Sequence, residues 1–200
     1  MHKALPVLGA VALLTPLAGQ HIHAQEDSLV LEEILVTASR RVESLQEVAM
    51  SVSAFSTDFL QDSGVNGLAA LEEYTPNLKI TPGGTDSNAT SIRIRGIGSM
   101  GTNAGIDPSV GVFIDGIYQG RAGMSISDLV DIQRVEILRG PQGTLYGKNT
   151  AAGAISVISK QPTNEYEVFA ELNYDTNEKG ELRGMVNVPF GDSPHAMRLS

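Results

Sequence analysis

The stretch Arg134-Val135-Glu136-Ile137-Leu138-Arg139-Gly140-Pro141-Gln142-Gly143-Thr144-Leu145-Tyr146-Gly147 decides how this chain folds. Arg134 to Leu138 reads as a β-prone strand, and Arg139-Gly140-Pro141 closes it, since neither glycine nor proline extends a ladder. Gly143 and Gly147 then punctuate a loop, and Ala154 to Ser159 reads as a buried strand that ends before Lys160-Gln161-Pro162. Upstream, Val110, Val112 and Ile114 lead into Asp115-Gly116 and out through Ile117 and Tyr118. A type I′ turn needs positive φ at both central positions, so Asp115-Gly116 predicts a hairpin. Of the 21 glycines, 14 lie between Gly83 and Gly153, which predicts a compact body with tight turns and close backbone approach.

Working back toward the N-terminus, Ser91-Ile92-Arg93-Ile94-Arg95 has period two, with both isoleucines on one face and both arginines on the other. Those guanidinium groups need water or carboxylate partners from their surroundings, because burying them unpaired is expensive. Pro82 to Thr90 is a polar, glycine-containing loop that exposes Asp86, Ser87 and Asn88, and Leu78 to Thr81 precedes it as a short strand. Val48 to Phe55 alternates as a strand, Ser56 or Thr57 caps a short helix stopped by Gly64, and a second short helix over Gly67 to Glu73 carries Leu68 and Leu71. Strand, helix, helix and strand in succession point to an α+β domain.

At the start of the chain, Lys3, an apolar run from Ala4 to Leu14 and a small-residue region reaching Ala24 have the order of a secretory signal peptide. The run of eleven residues is too short for a helical span, which needs about 20. Cleavage after Ala24 leaves 13 basic and 23 acidic residues, a net charge of 13 − 23 = −10, and His195 as the remaining histidine. An acidic chain of this kind lacks the basic patch that nucleic acid requires. Cysteine is absent, so disulfide frameworks and thiolate metal sites are excluded. Between Gln25 and Arg41, the β-prone run Ile34-Leu35-Val36-Thr37 follows an acidic, aperiodic segment. It reads either as the first strand of the next domain or as a free strand that pairs with a partner's sheet edge.

The pattern changes at about Thr163. Tyr166 to Tyr174 alternates over nearly ten residues with an aromatic at each end of one face, Leu182 to Val188 alternates again, and Ala196 to Leu199 begins a third run. Such runs fit transmembrane barrel strands or a soluble meander equally.

Several motifs fail on context. Gly96-Ile97-Gly98-Ser99-Met100-Gly101 matches the dinucleotide fingerprint, but Thr102 to Ser109 contains Gly105 and Pro108 and cannot form the helix that holds pyrophosphate. Gly147-Lys148-Asn149 lacks both the leading glycine and the hydroxyl of a phosphate loop. No Ser, His and acid set or metal cluster can be assembled, so the sequence gives an enzyme no positive support and calls for no cofactor.

Three stretches carry a resemblance: Glu33-Ile34-Leu35-Val36-Thr37-Ala38, Val110 to Tyr118, and Arg134 to Gly147 continuing through Gly153-Ala154-Ile155 and Ser159-Lys160. Together they resemble the TonB-dependent outer-membrane receptors over about residues 31 to 190. The resemblance implies an α+β plug domain, a small mixed sheet with short helices, followed by the first strands of a transmembrane antiparallel β-barrel, truncated here. It implies a signal peptide over 1–24, a periplasmic tether over 25–41, a plug over 42–162 and barrel strands over 163–200. Glu33, Ile34, Leu35, Val36, Thr37 and Ala38 would form the TonB box, which adds as a strand to the periplasmic domain of TonB, itself driven by an inner-membrane energising complex. Plug loops bearing Asp86, Ser87, Asn88, Met100, Asn103 and Asp107 would face the external ligand, with Asp115 and Gly116 as a structural turn. The expected function is energy-coupled uptake through the outer membrane, with lipid around the barrel and an iron chelate such as a ferric siderophore as ligand. Haem, vitamin B12 and carbohydrate are alternatives. A signalling receptor would carry a further domain ahead of the box, and only about eight residues separate Ala24 from Glu33. A soluble periplasmic binding domain, with Glu33 to Ala38 as an ordinary strand, is the remaining alternative.

Overall fold

The computed structural model describes residues 34–65, 67–83, 90–99, 105–120, 129–174, 180–191 and 194–200. Its centre is a five-stranded sheet of β3 (Ser51–Ser56), β6 (Val110–Ile114), β7 (Ile117–Gln119), β8 (Ile132–Arg139) and β9 (Gly153–Ser159), in the order β3-β8-β9-β6-β7. The pair β6–β9 is parallel and the others are antiparallel, so the sheet is mixed as expected. The Asp115-Gly116 hairpin is present, with φ of 48° and 80°, and the Asp115 carboxylate accepts from Ser159 N–H at 2.9 Å to tie the turn to β9.

Both faces of this sheet are apolar, and each has its own cover. On one face, Phe55, Val110, Val112, Val135, Ile137, Ile155 and Val157 pack against three elements. These are α1 (Thr57–Asp62), a 3-10 turn (Leu68–Glu72), and the two-stranded β4 (Leu78–Thr81) and β5 (Ser91–Ile94). Ser56 caps α1 by accepting from Phe59 N–H at 3.3 Å, and Gly64 with φ of 64° reverses the chain after it. On the other face, Phe113, Leu138 and Ala154 are covered by Val36 and Ala38 from the N-terminal segment, with Leu45, Val48 and Met50 around them.

The sequence reading differs from the structure at Gly143–Tyr146, where a one-turn helix, α2, stands in place of an open loop. The Gln142 carbonyl accepts from both Leu145 and Tyr146 N–H, and Gly147 with φ of 81° ends the turn. One turn is too short to show a helical period in sequence. Arg93 and Arg95 leave the apolar face as expected, and neither has an ion-pair partner among the described residues.

Beyond Lys160, β10 (Glu167–Tyr174), β11 (Gly180–Pro189) and β12 (Ala196–Leu199) form a separate antiparallel sheet in that order, without a closed barrel among the described residues. Two polar anchors hold it, the first to the segment leading into β10 and the second to the body. The fully buried Asn187 donates to the carbonyls of Thr163 and Glu165, and Arg198 makes a bidentate pair with Asp131 while reaching Glu167 at 2.9 Å. A bidentate, nearly buried guanidinium pair is geometrically specific, so it fixes register as well as proximity.

Gly153 is where close backbone approach decides the packing: a Cβ there would stand 2.4 Å from the Leu138 carbonyl oxygen and 2.7 Å from Ile94 Cδ1. Gly153→Ala is expected to lower stability by about 1–3 kcal/mol, the usual penalty for forcing a methyl into filled space. Gly143→Ala, with nothing within 4 Å of its Cβ, is expected to be near neutral. Urea unfolding midpoints of the two variants check the contrast.

Candidate functional site

The segment from Ile34 to Ala38 is a short strand with two different edges and two different ends. Leu35–Val36 forms β1, which pairs antiparallel with β2 (Glu43–Ser44). Arg40, with φ of 59°, closes the turn between them by donating its N–H to the Thr37 carbonyl at 2.8 Å. Among the described residues β1 has no strand on its other edge. Ile34 and Leu35 are 38% and 47% exposed, whereas Val36 and Ala38 are completely buried on Phe113, Leu138 and Ala154. The run is thus a covering strand of the domain, and its other edge is unpaired among the described residues.

Thr37 is held by a carboxylate from the central sheet. Glu136, fully buried on β8, accepts from the Thr37 N–H at 2.7 Å and from its hydroxyl at 3.0 Å, both at the same oxygen Oε1. Arg134, two residues along on the same face of β8, supplies the compensating charge through Nε at 2.8 Å to that oxygen. The neighbours of Glu136 in register are Ala54 and Ser156, small residues that leave room for Thr37 to descend onto the sheet. A buried carboxylate without such donors would be strongly destabilising.

A second contact closes over Thr37 from α2. Tyr146 packs edge-on against Phe113 with centroids 5.0 Å apart, and its hydroxyl donates to the Thr37 carbonyl at 3.5 Å. Arg40 lies 5.1 Å above the Tyr146 ring and donates from Nε to the Leu145 carbonyl at 2.7 Å. Sequence reading found Ile34 to Ala38 but neither Glu136 nor Tyr146 as its partners. The only available signal was the charged pair Arg134 and Glu136 inside an apolar strand, and alternation alone assigns that pair to solvent.

Of the other expected site residues, Glu33, Asp86, Ser87, Asn88, Met100 and Asn103 lie outside the described residues, as does the segment 1–24. Asp107 is exposed beside the exposed Ile106. Its loop is rooted by Ser99, whose hydroxyl accepts from Ser109 N–H at 3.1 Å and whose carbonyl accepts from the Ser91 hydroxyl at 2.9 Å.

Burial raises the Tyr146 phenol above its ordinary value of 10.0, the nearby Glu136 charge adds to this, and Arg40 opposes it. A raised folded-state value means that the folded form holds its proton longer than the unfolded one. The associated stability is fully present below the unfolded value and is lost as pH rises through the folded one. Tyr146→Phe is expected to flatten the fall in stability above about pH 10, the unperturbed range of tyrosine. Denaturant titrations at pH 8 to 11 check this.

Residues 44–154 match the family model described as the TonB-dependent Receptor Plug Domain. The chain is 35% identical over 180 residues to the pesticin receptor of Yersinia enterocolitica, covering 90% of this chain and 26% of that protein. It is 30% identical over 163 residues to the vitamin B12 transporter BtuB of Vibrio vulnificus, covering 80% of this chain and 25% of that one. The ferric yersiniabactin uptake receptor FyuA of Yersinia pestis superposes with a TM-score of 0.64 at 31% identity, covering 72% of this chain and 22% of that chain. The chain thus spans about a quarter of the length of the curated relatives it matches. Those relatives are named as receptors and a transporter. With the mixed sheet, its short helices and the matched residues, the chain belongs to the TonB-dependent receptors of the outer membrane and carries their plug domain.

Proposed function

We propose that this chain is the exported N-terminal part of a receptor that imports a bulky ligand across the outer membrane, with energy delivered through TonB. The observation that carries the reading is β1: a strand with one open edge and two exposed apolar residues at its outer end, set directly on the plug sheet. Backbone groups on an open edge are the ordinary means by which an extended segment joins a partner's sheet. In this reading Glu33 to Ala38 is the TonB box within a tether over 25–41, the plug runs over 42–162, and residues 1–24 direct export.

Strands β10 to β12 are then the first of a lipid-facing wall. Val168 and Leu172, on one face of β10, are 78% and 75% exposed, as lipid contact requires and water does not favour. No helix among the described residues is long and apolar enough to span a membrane. An enclosing wall would also supply acceptors to the exposed Arg95 and to the buried Arg139 Nε, which has no hydrogen-bond partner among the described residues. The plug loops, Asp107 among them, face the ligand. A ferric siderophore is the favoured ligand class, because a relative at 31% identity is a ferric yersiniabactin uptake receptor. Vitamin B12 is the second reading, on the BtuB match.

A peptide of residues 25–45 is expected to retain the purified periplasmic domain of TonB in a pull-down. Leu35→Pro, which removes a backbone donor from β1, is expected to abolish that capture and growth on a ferric siderophore as sole iron source. Capture unchanged by Leu35→Pro would remove the box from its assigned role.

A further inference from the structure

Resting on the reading of Glu33 to Ala38 as the coupling segment, we propose that Glu136 is a positioning residue that limits how far a partner strand can pair along that segment. Backbone groups of a strand alternate between its two edges. The Ile34 carbonyl accepts from Leu45 N–H, and Val36 stands opposite Glu43, so residues 34 and 36 face β2. Leu35 therefore directs its backbone groups to the open edge, and Thr37, just past β1, directs its N–H away from β2 to Glu136.

The rung at Leu35 is available on that edge, but the next one is not. The Thr37 N–H is taken by Glu136 Oε1, and the Thr37 carbonyl is taken by Arg40 N–H and the Tyr146 hydroxyl. An incoming strand can begin at the exposed end, Ile34 and Leu35, and stops there until Glu136 lets Thr37 go. Releasing Thr37 also lifts Val36 and Ala38 from Phe113, Leu138 and Ala154. Arg134, 2.8 Å from the same oxygen, is a second partner for Glu136 that does not depend on Thr37. The segment thus has a half-exposed outer end and an inner end whose outward N–H is held by one carboxylate.

The test uses the intact receptor in outer-membrane vesicles, carrying Val36→Cys as a label site in a segment free of native cysteine. Maleimide labelling at position 36 is expected to be slow in the parent. Glu136→Gln and Thr37→Val are each expected to speed it by about tenfold, the scale of one charge-assisted hydrogen bond. The double variant is expected to label no faster than the faster single one, because both weaken the same contact: Thr37→Val removes its hydroxyl bond, and Glu136→Gln removes the acceptor's charge. Labelling at Leu35→Cys, already half exposed, is expected to change less than about twofold, which separates release of Thr37 from general loosening. Unchanged rates at position 36, multiplying effects in the double variant, or equal acceleration at position 35 would each overturn the proposal. Should Glu136→Gln fail to accumulate in the membrane, the Thr37→Val rate alone decides. If labelling behaves as expected but the purified periplasmic domain of TonB binds none of these receptors, the latch stands and the coupling reading falls.

Discussion

A β-sheet that is apolar on both faces cannot stand in water until both are covered, and in this protein the two covers differ in kind. One is built from α1, the 3-10 turn and the β4–β5 pair, elements that follow the chain closely and interlock through Leu68, Leu71, Ile80 and Ile94. The other is the short β1–β2 pair and the chain that follows it, with Val36 and Ala38 at its centre and the side chains of Leu45, Val48 and Met50 around them.

The polar centre of that cover carries a definite energetic logic. Glu136 is fully buried, and of its two oxygens only Oε1 is satisfied, by Thr37 and by Arg134. Replacing the group by a hydrocarbon of similar volume is the usual way to gain stability at such a position. Retaining a carboxylate trades stability for direction: a hydrocarbon would hold Val36 and Ala38 in many registers, whereas a carboxylate that needs the Thr37 N–H and hydroxyl accepts one. The second anchor, Arg198 on Asp131, applies the same device at the opposite end of the domain, where it fixes β12 to the start of β8.

The sequence made the hairpin at Asp115-Gly116, the stop at Gly64 and the division of Ile92 and Ile94 from Arg93 and Arg95 legible, and narrowed the cap to Ser56 or Thr57, because each is decided by local stereochemistry or a period of two. The short helix at Gly143–Tyr146 was not, since its hydrogen bonds depend on the chain direction set by Gln142 and Gly147. The contact that organises the candidate site was also invisible. Thr37 and Glu136 are 99 residues apart, and a glutamate in an alternating strand looks like any solvated side chain. For the same reason the two readings of Ile34 to Thr37, covering strand and open-edged strand, could not be separated by pattern: burial on one side and a vacant edge on the other are properties of the assembled sheet.

The strand order also dictates a sequence of events in time. β3 is completed by β8, with Ser51 opposite Arg139, and β6 is completed by β9, with Val110 opposite Gly153. A chain emerging from its N-terminus, from a ribosome or a translocation channel, presents Val36 and Ala38 before Phe113, Leu138 and Ala154, the sheet residues they cover, exist. Contacts of such sequence separation form slowly, after loop closure has been met. The newly emerged leg is therefore an adhesive, solvent-exposed strand for the whole interval until residue 159 arrives, and it is during biogenesis that this protein most needs shielding from its own kind.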